Sequence, residues 1–376
     1  MIYRTLGRTG LKVSQLGFGA MRLPMKGEGE KSFVDRDLAV PMIHRAFEGG
    51  VNYIDTAVGY CNSDSQRAVG DALVGWRDKV VVSTKNHYYG ESESEWWKLL
   101  TDSLERLRVQ TIDIYNHHGL NWKAYGESIE PRVGQWMLKA KEQGLIRHIC
   151  CSFHDGNEAL MKLVEAGYPA SITLQYNMLD RQLEQGMALA KQHNIGVVAM
   201  GPVGGGKLGS DSPVLQKLLP SIRRVPELAL RFVLANPNVT MALSGMSTMQ
   251  QVEENLAAAN DTVTLSEADQ AAIHEQLGRL KAMADLYCTA CGYCQPCEAA
   301  KVAIPGIFGM YNTARVYGLW EAARAQYAGV LKNRPHWGGP ADDCTECGKC
   351  EDKCPQKIPI RQQLKEAHKA LTEGKA

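Results

Sequence analysis

Eight of the chain's eleven cysteines crowd into two short runs. The first reads CTACGYCQPC and carries Cys288, Cys291, Cys294 and Cys297. The second reads DCTECGKCEDKCPQKIPI and carries Cys344, Cys347, Cys350 and Cys354. The second has the spacing C-x2-C-x2-C-x3-C-P, a pattern for a 4Fe–4S cubane whose fourth cysteine binds a neighbouring cluster. Two-residue spacers let three thiolates from one turn grasp three corners of a cubane. A second run is then required, and the first run supplies it. It departs from the pattern at its end: Cys297 follows after two residues rather than three, and Glu298 stands where proline is usual. The spacing predicts two 4Fe–4S clusters. One would use Cys288, Cys291, Cys294 and Cys354, the other Cys344, Cys347, Cys350 and Cys297. Zinc is the rival, but zinc sites pair one C-x2-C with a distant second pair, and three successive x2 steps crowd a tetrahedron.

A second constellation lies far upstream. Asp55 and Tyr60 sit in YIDTAVGY, Lys85 ends VVSTK, and His117 and His118 end IYNHH. A phenol titrates near pH 10, too high for easy proton exchange at neutrality. A lysine ammonium beside it favours the phenolate and pulls that value down. A buried aspartate keeps the lysine charged and placed. A histidine can donate a hydrogen bond to a carbonyl oxygen that is gaining charge. Together such groups polarise a carbonyl and protonate its oxygen, or run the reverse on an alcohol. Taken singly, each residue reads as a strand-end salt bridge or a packed side chain. His117 points the opposite way from His118 along a strand and reads as structural.

These residues need elements to hold them. IYRTL, GRTG and LKVSQ predict a hairpin. Eight apolar runs follow: 15–21, 51–57, 79–85, 111–118, 146–153, 171–177, 195–201 and 239–245. Amphipathic stretches separate them, among them 37–50, 94–109, 158–167 and 249–260. That alternation predicts a parallel sheet with crossover helices, either closed as a (β/α)8 TIM barrel or open and doubly wound. The first run continues as GFGAMRLP, without the third glycine of a dinucleotide-binding sheet, which favours the barrel. In a barrel the residues above fall at the C-terminal ends of the strands, where chemistry sits. Composition changes near residue 280. The predicted division is a barrel over 1–280 and a small, mainly helical iron–sulfur domain over 281–376, with RPHWGGP (334–340) as a turn before the second cysteine run.

The 376 residues are 44% hydrophobic and carry a formal net charge of +1, which points to neither a nucleic acid nor a membrane surface. No run of about 18 apolar residues predicts a membrane span. The opening, MIYRTLGRTGLKVSQLG, lacks the pattern of a secretory signal. An odd cysteine count without a signal argues against a disulfide framework and for a reducing, cytoplasmic setting.

Residues 1 to about 265 resemble the aldo-keto reductase superfamily. The resemblance rests on GLKVSQLGFGAMRL, NYIDTAVGY, VSTK, DIYNHH, LQYN and GMSTMQQVEENLAAA, in order along the chain. It implies a catalytic tetrad of Asp55, Tyr60, Lys85 and His118, the histidine being chosen by the family's spacing through Asp113 and Tyr115. It also implies NAD(H) or NADP(H) bound without a Rossmann sheet. The positions that hold the nicotinamide carboxamide correspond to Ser152 and Gln175, with Phe153 where the family has asparagine. Met200 takes the place of a stacking aromatic, where a thioether can still cover a ring face. Gly201 and Gly204 open GPVGGGKLG, where backbone N–H groups can approach a pyrophosphate. Near Glu254 and Asn255, the positions that carry cations in NADPH-specific relatives are Gly245 and Gln251, leaving Ser247 and Thr248 as weaker donors. Losing both cations favours NAD(H). The rim would include His87, Tyr88, Tyr89, Asn121 and Trp122, suited to a small polar carbonyl or alcohol. The cysteine tail resembles dicluster modules of α-helical ferredoxin type, found on one branch of the family. The implied activity is a nicotinamide-dependent oxidoreductase acting on a CH–OH/C=O pair. The alternative is a redox sensor, or an electron carrier working with a ferredoxin-like partner, that uses the barrel only to bind nicotinamide.

Overall fold

The computed structural model describes residues 1–219, 221–222, 224–260, 265–285, 288, 291–332, 338–355 and 357–373. Residues 334–337 of the expected RPHWGGP turn lie outside the described residues.

Eight parallel strands close into a barrel in chain order. They are β1 (Leu16–Gly19), β2 (Tyr53–Asp55), β3 (Val81–Asn86), β4 (Ile112–Leu120), β5 (Ile146–Phe153), β6 (Ser171–Gln175), β7 (Gly196–Met200) and β8 (Met241–Gly245). Closure is made where β8 pairs with β1, Gly245 opposite Gly19. That bond excludes the open sheet. Six strands fall within one of the eight apolar runs, and β3 and β4 begin in theirs and overrun them by one and two residues. The strands read as near-continuous hydrophobic runs because barrel strands are covered on both faces. Residues 82–86 of β3, for example, are all buried.

A helix follows each strand: α1 (Arg36–Glu48), α2 (Ser65–Ala72), α3 (Glu93–Leu107), α4 (Gly134–Glu142), α5 (Asn157–Glu165), α6 (Glu184–Gln192), α7 (Val225–Ala235) and α8 (Met249–Asn260). Local chemistry sets several ends. Asp35 caps α1 by accepting from the Asp37 N–H, and Ser92 caps α3 by accepting from the Glu95 N–H. Arg108 ends α3 in the left-handed conformation.

The expected hairpin is present, Tyr3–Thr5 antiparallel to Lys12–Ser14. Its turn reaches the start of β7. A Cβ on Gly7 would lie 2.1 Å from the Gly196 nitrogen, and Gly7 has φ +48°, so only glycine fits there. Leu6 beside it is fully buried.

Packing divides the chain into two compact units, residues 1–204 with 229–264, and residues 205–228 with 265–376. The expected boundary at 280 differs from this division in two ways. Helix α9 (Glu267–Asp285) belongs with the C-terminal unit, and so does the segment 205–228. Side-chain bonding shows why the segment does: Ser212 donates to the Tyr317 carbonyl at 2.6 Å and packs against Gly318.

The rest of that unit is built on α10 (Ile304–Tyr317), α11 (Trp320–Lys332) and α12 (Ile360–Thr372). Ile307, Phe308, Tyr327, Leu364 and Leu371 form its core. The buried Tyr327 hydroxyl bonds His368 Nδ1 at 2.7 Å and accepts from the Ala341 N–H at 3.1 Å. Cys288, Cys294, Cys297, Cys344 and Cys350 pack against the edge of this core. No helix among the described residues is long and apolar enough to cross a membrane.

Candidate active site and cysteine-lined cavities

Asp55 is the last residue of β2, and Lys85 stands one residue from the end of β3. Both are buried, at 3% and 2% exposure. The Lys85 ammonium donates to Asp55 Oδ1 and, at 2.9 Å, to the Thr56 carbonyl. The other carboxylate oxygen accepts from Ser83 Oγ at 2.7 Å, and Ser83 in turn accepts from Asn116 Nδ2 at 3.0 Å. Ser83 and Lys85 are two apart on β3, so they share a face and meet the same aspartate from one side. Burial opposes the Lys85 charge, but Asp55 and the Tyr60 hydroxyl outweigh it, and the ammonium holds its proton more tightly than a free lysine.

Tyr60 opens a short turn five residues after Asp55. Cys61, Asn62 and Ser63 all have positive φ, at 52°, 52° and 64°. Three successive left-handed residues without a glycine are costly, roughly 1–2 kcal/mol each. Bonds hold them: Asn62 Nδ2 donates to the Gly29 and Ser32 carbonyls at 3.1 and 3.3 Å, tying the turn to the small hairpin Met25–Lys26/Phe33–Val34. The result sets the Tyr60 ring beneath Lys85 Nζ, 4.8 Å from the ring centroid. His118 meets the same ring edge-on, centroids 5.9 Å apart at 86°. Asp55, Tyr60, Lys85 and His118 thus converge.

The sequence led us to expect a lowered Tyr60 pKa. Burial raises it, Lys85 lowers it, and burial wins, so the phenol stays protonated at neutral pH. His118 is pushed down to about 4 by burial, then by Lys85, His154 and His87, so it is a neutral imidazole at pH 7. The four therefore present a neutral phenol, a neutral imidazole and one ammonium locked to its carboxylate. A neutral donor pair beside a fixed cation suits an oxygen that gains negative charge.

His117 does not join them. It is buried, bonds the Tyr168 hydroxyl through Nε2 at 3.0 Å, and stacks on Tyr89. Tyr89 also donates to the His118 carbonyl at 2.9 Å, so it braces β4. Trp122 stacks on Tyr125, centroids 5.2 Å apart. Asp113 sits in the strand as a buried ion pair with Arg77 and Arg147, at 2.9 and 2.8 Å, and accepts from the Val82 N–H.

The cysteines of the C-terminal unit surround two open cavities. One, of about 340 Å³, is lined by Cys288, Cys291, Cys294 and Cys354. The other, of about 490 Å³, is lined by Cys297, Cys344, Cys347 and Cys350, with Cys294 in the shared wall. Each cavity takes three cysteines from one run and one from the other. Among the described residues no three His, Cys, Asp or Glu side chains converge closely enough to hold a single metal ion. Four thiols around an open volume fit the donor set of a cubane.

The pattern of the aldo/keto reductase family matches residues 15–213, more than half of the chain. The chain belongs to the aldo/keto reductase family. A 4Fe-4S dicluster domain matches residues 285–358. This aldo/keto reductase is 28% identical over 301 residues to L-galactose dehydrogenase of Arabidopsis thaliana, covering 72% of the chain and 92% of the relative. It is 26% identical over 325 residues to the NADH-specific methylglyoxal reductase of Escherichia coli (strain K12), covering 73% and 98%. Among solved structures it is similar to the holo form of aldo-keto reductase AKR11C1 from Bacillus halodurans, at a TM-score of 0.64 and 30% identity over 73% of this chain and 96% of that one.

The residues matched to nicotinamide contacts lie on successive barrel strands of this aldo/keto reductase. Ser152 is buried on β5 and accepts from the Gly119 N–H at 3.0 Å; Phe153 is buried beside it. Gln175 ends β6 opposite Met200 at the end of β7, and both are half-buried. Gly201 has φ +64°, and a Cβ there would lie 2.6 Å from Gln175 Oε1. The missing side chain is what lets that amide lie against the strand end. Gly204 donates to the Gly201 carbonyl at 2.8 Å. After β8, the Ser247 N–H donates to Gln251 Oε1 at 2.7 Å, Asn255 Nδ2 donates to Ser244 Oγ at 3.1 Å, and Gln250 Nε2 donates to Glu254 at 2.8 Å. The sequence reading passed over three participants. Ser83 and Asn116 support Asp55, and same-face spacing on β3 was the available signal for Ser83. Arg22 runs along Gly245 and accepts from Ser247 Oγ through its carbonyl, a contact across 225 residues that no local signal announces.

Proposed function

We propose that the protein interconverts a carbonyl and an alcohol on a small polar substrate, with NAD(P)(H) as hydride carrier. The observation that carries this reading is the convergence of Lys85 and His118 on the Tyr60 ring, with Asp55 holding the lysine. Tyr60 serves as the general acid for reduction and the general base for oxidation. His118, a neutral imidazole, donates to the substrate oxygen and orients it. Lys85 keeps a fixed positive charge beside the phenol, so that the proton leaves Tyr60 only when the substrate oxygen demands it. Asp55 keeps that charge in place and is itself held by Ser83. The bound nicotinamide supplies the hydride to the carbonyl carbon. Ser152 and Gln175 would hold its carboxamide, Met200 would cover its ring, and Gly201 and Gly204 would admit its pyrophosphate.

NAD(H) is favoured over NADP(H), because Gly245 and Gln251 offer no charge to a 2′-phosphate. The Escherichia coli relative, an NADH-specific methylglyoxal reductase, agrees with this. Two 4Fe–4S clusters are assigned to the two cavities, one on Cys288, Cys291, Cys294 and Cys354, the other on Cys297, Cys344, Cys347 and Cys350. The clusters have a structural or an electron-transfer role, and for the second a ferredoxin-like carrier is the partner they would serve.

An anaerobic screen of polar carbonyls with NADH, and of alcohols with NAD, tests the reading. Turnover of at least one compound by the wild type, lost in Tyr60→Phe, is the expected outcome. No turnover of any compound, or undiminished turnover by Tyr60→Phe, would overturn it.

A further inference from the structure

We propose that the two clusters are electrostatically unequal, and that the one held by Cys297, Cys344, Cys347 and Cys350 takes the first electron. The inference rests on the two-cluster reading above and adds an order to it.

One-electron reduction adds one negative charge to a cluster and moves no proton. Neighbouring cations therefore favour the reduced form and raise its potential. The cavities differ in this respect. The Cys297/Cys344 cavity is lined by Lys349, Lys353, Arg361 and Glu298. Lys349 and Lys353 share one carboxylate, Glu298, at 3.8 and 3.7 Å. Arg361 is neutralised by Glu351 at 2.8 Å. Three lining cations thus stand against two carboxylates, Glu298 and Glu351, which leaves one net positive charge on the lining. The Cys288/Cys354 cavity is lined instead by Pro305, Phe308, Ile358 and Ile360, with no charged side chain among the described residues.

Each cavity has one exposed cysteine, Cys347 in the first and Cys291 in the second, and the buried Cys354 of the second adds to the difference in the same direction as charge. The cavities also share a wall, Cys294 and Ile304. An electron delivered to either cluster by a one-electron carrier, itself oxidised by one electron, would settle on the cation-lined site. The apolar site would fill second and be the stronger reductant.

The test uses the full chain, loaded anaerobically and reduced stepwise with dithionite at controlled potential, with each reduced cluster followed by electron paramagnetic resonance. Iron and sulfide of about eight each per chain establish the two-cluster reading first. Two one-electron stages follow. The first electron also repels the second, so the decisive result is how the stages respond to charge. Lys349→Gln/Lys353→Gln should move the first stage to lower potential, Glu298→Gln should move it higher, and neither should move the second stage. In the unaltered protein, added salt should narrow the gap, because these side chains are exposed and screened. Coincident stages at full iron content, equal movement of both stages, or movement of the second alone would overturn the inequality. Iron of about four per chain would overturn the two-cluster reading, and the inequality with it.

Discussion

Lys85 Nζ lies over the face of the Tyr60 ring, 4.8 Å from its centroid, and donates to Asp55 and the Thr56 carbonyl. Its charge and a hydrogen bond with the phenol both favour the phenolate, against burial. Burial keeps Tyr60 protonated in the free protein, and Lys85 is what makes the phenolate reachable during turnover. Tyr60→Phe keeps the ring under the lysine and removes only the exchangeable proton. Turnover of the best compound from the screen should fall by about 10²–10⁴. NADH affinity, read by fluorescence, should be nearly unchanged.

Removing the charge that holds Lys85 has a different signature. Asp55→Asn leaves a buried ammonium without its carboxylate, which costs about 3–5 kcal/mol. Denaturant unfolding should show that loss. Ser83→Ala, which removes one neutral bond to Asp55, should cost about 1 kcal/mol. Equal losses from the two would mean that the charge is not what matters.

Acid sensitivity follows from His117. Burial lowers its pKa from 6.5 to about 3. Between those values the unfolded chain binds a proton that the folded chain refuses. Stability must therefore rise with pH through that window and be free of this penalty above about 6.5. His117→Gln should flatten the dependence of Tm on pH between 6.5 and 4, because it retains a polar partner for Tyr168 but does not titrate. An unchanged slope would assign the acid sensitivity to other groups.

Cofactor choice is testable without the substrate's identity. If Gly245 and Gln251 face the adenosine end as proposed, kcat/KM should favour NADH with any compound that turns over. A preference for NADPH of more than about tenfold, some 1.4 kcal/mol, would contradict the reading.

The crossed arrangement of cysteines makes its own prediction. Cys354→Ser and Cys297→Ser each remove one ligand that lies far in sequence from the three it completes. Iron analysis after anaerobic loading should show each variant losing about half of its iron. Cys354→Ser should lose the resonance of the apolar cavity, and Cys297→Ser that of the cation-lined one. If Cys297→Ser keeps full iron, the short spacing after Cys294 has excluded it as a ligand.

Much of this molecule was legible in its sequence. All eight barrel strands start inside apolar runs, because strands covered on both faces are largely apolar, and only β3 and β4 run past the predicted ends, by one and two residues. His118 was separable from His117 by the family's spacing through Asp113 and Tyr115, and strand alternation then set His117 on the other face. What stayed hidden depends on distant packing. The segment 205–228 joins the C-terminal unit through bonds such as Ser212 to Tyr317, which are 105 residues apart. The Tyr60 pKa was misjudged because spacing reveals a charged neighbour but not the depth of burial. Asp113 served as a marker for His118, yet its own role is an ion pair with Arg77, in the turn before β3, and Arg147, on β5.

Crossed cysteines also constrain how the C-terminal unit is made. The cysteine set of one cavity is incomplete until residue 354 has left the ribosome and folded back on the first run, and that of the other until residue 350 has done so. A cubane assembled early on Cys288, Cys291 and Cys294 would keep one iron corner open to water and oxidants throughout synthesis of the helices between. Metal insertion is therefore best timed after translation, on a scaffold already closed, and the helices α10 and α11 that separate the two runs are the part that must form first.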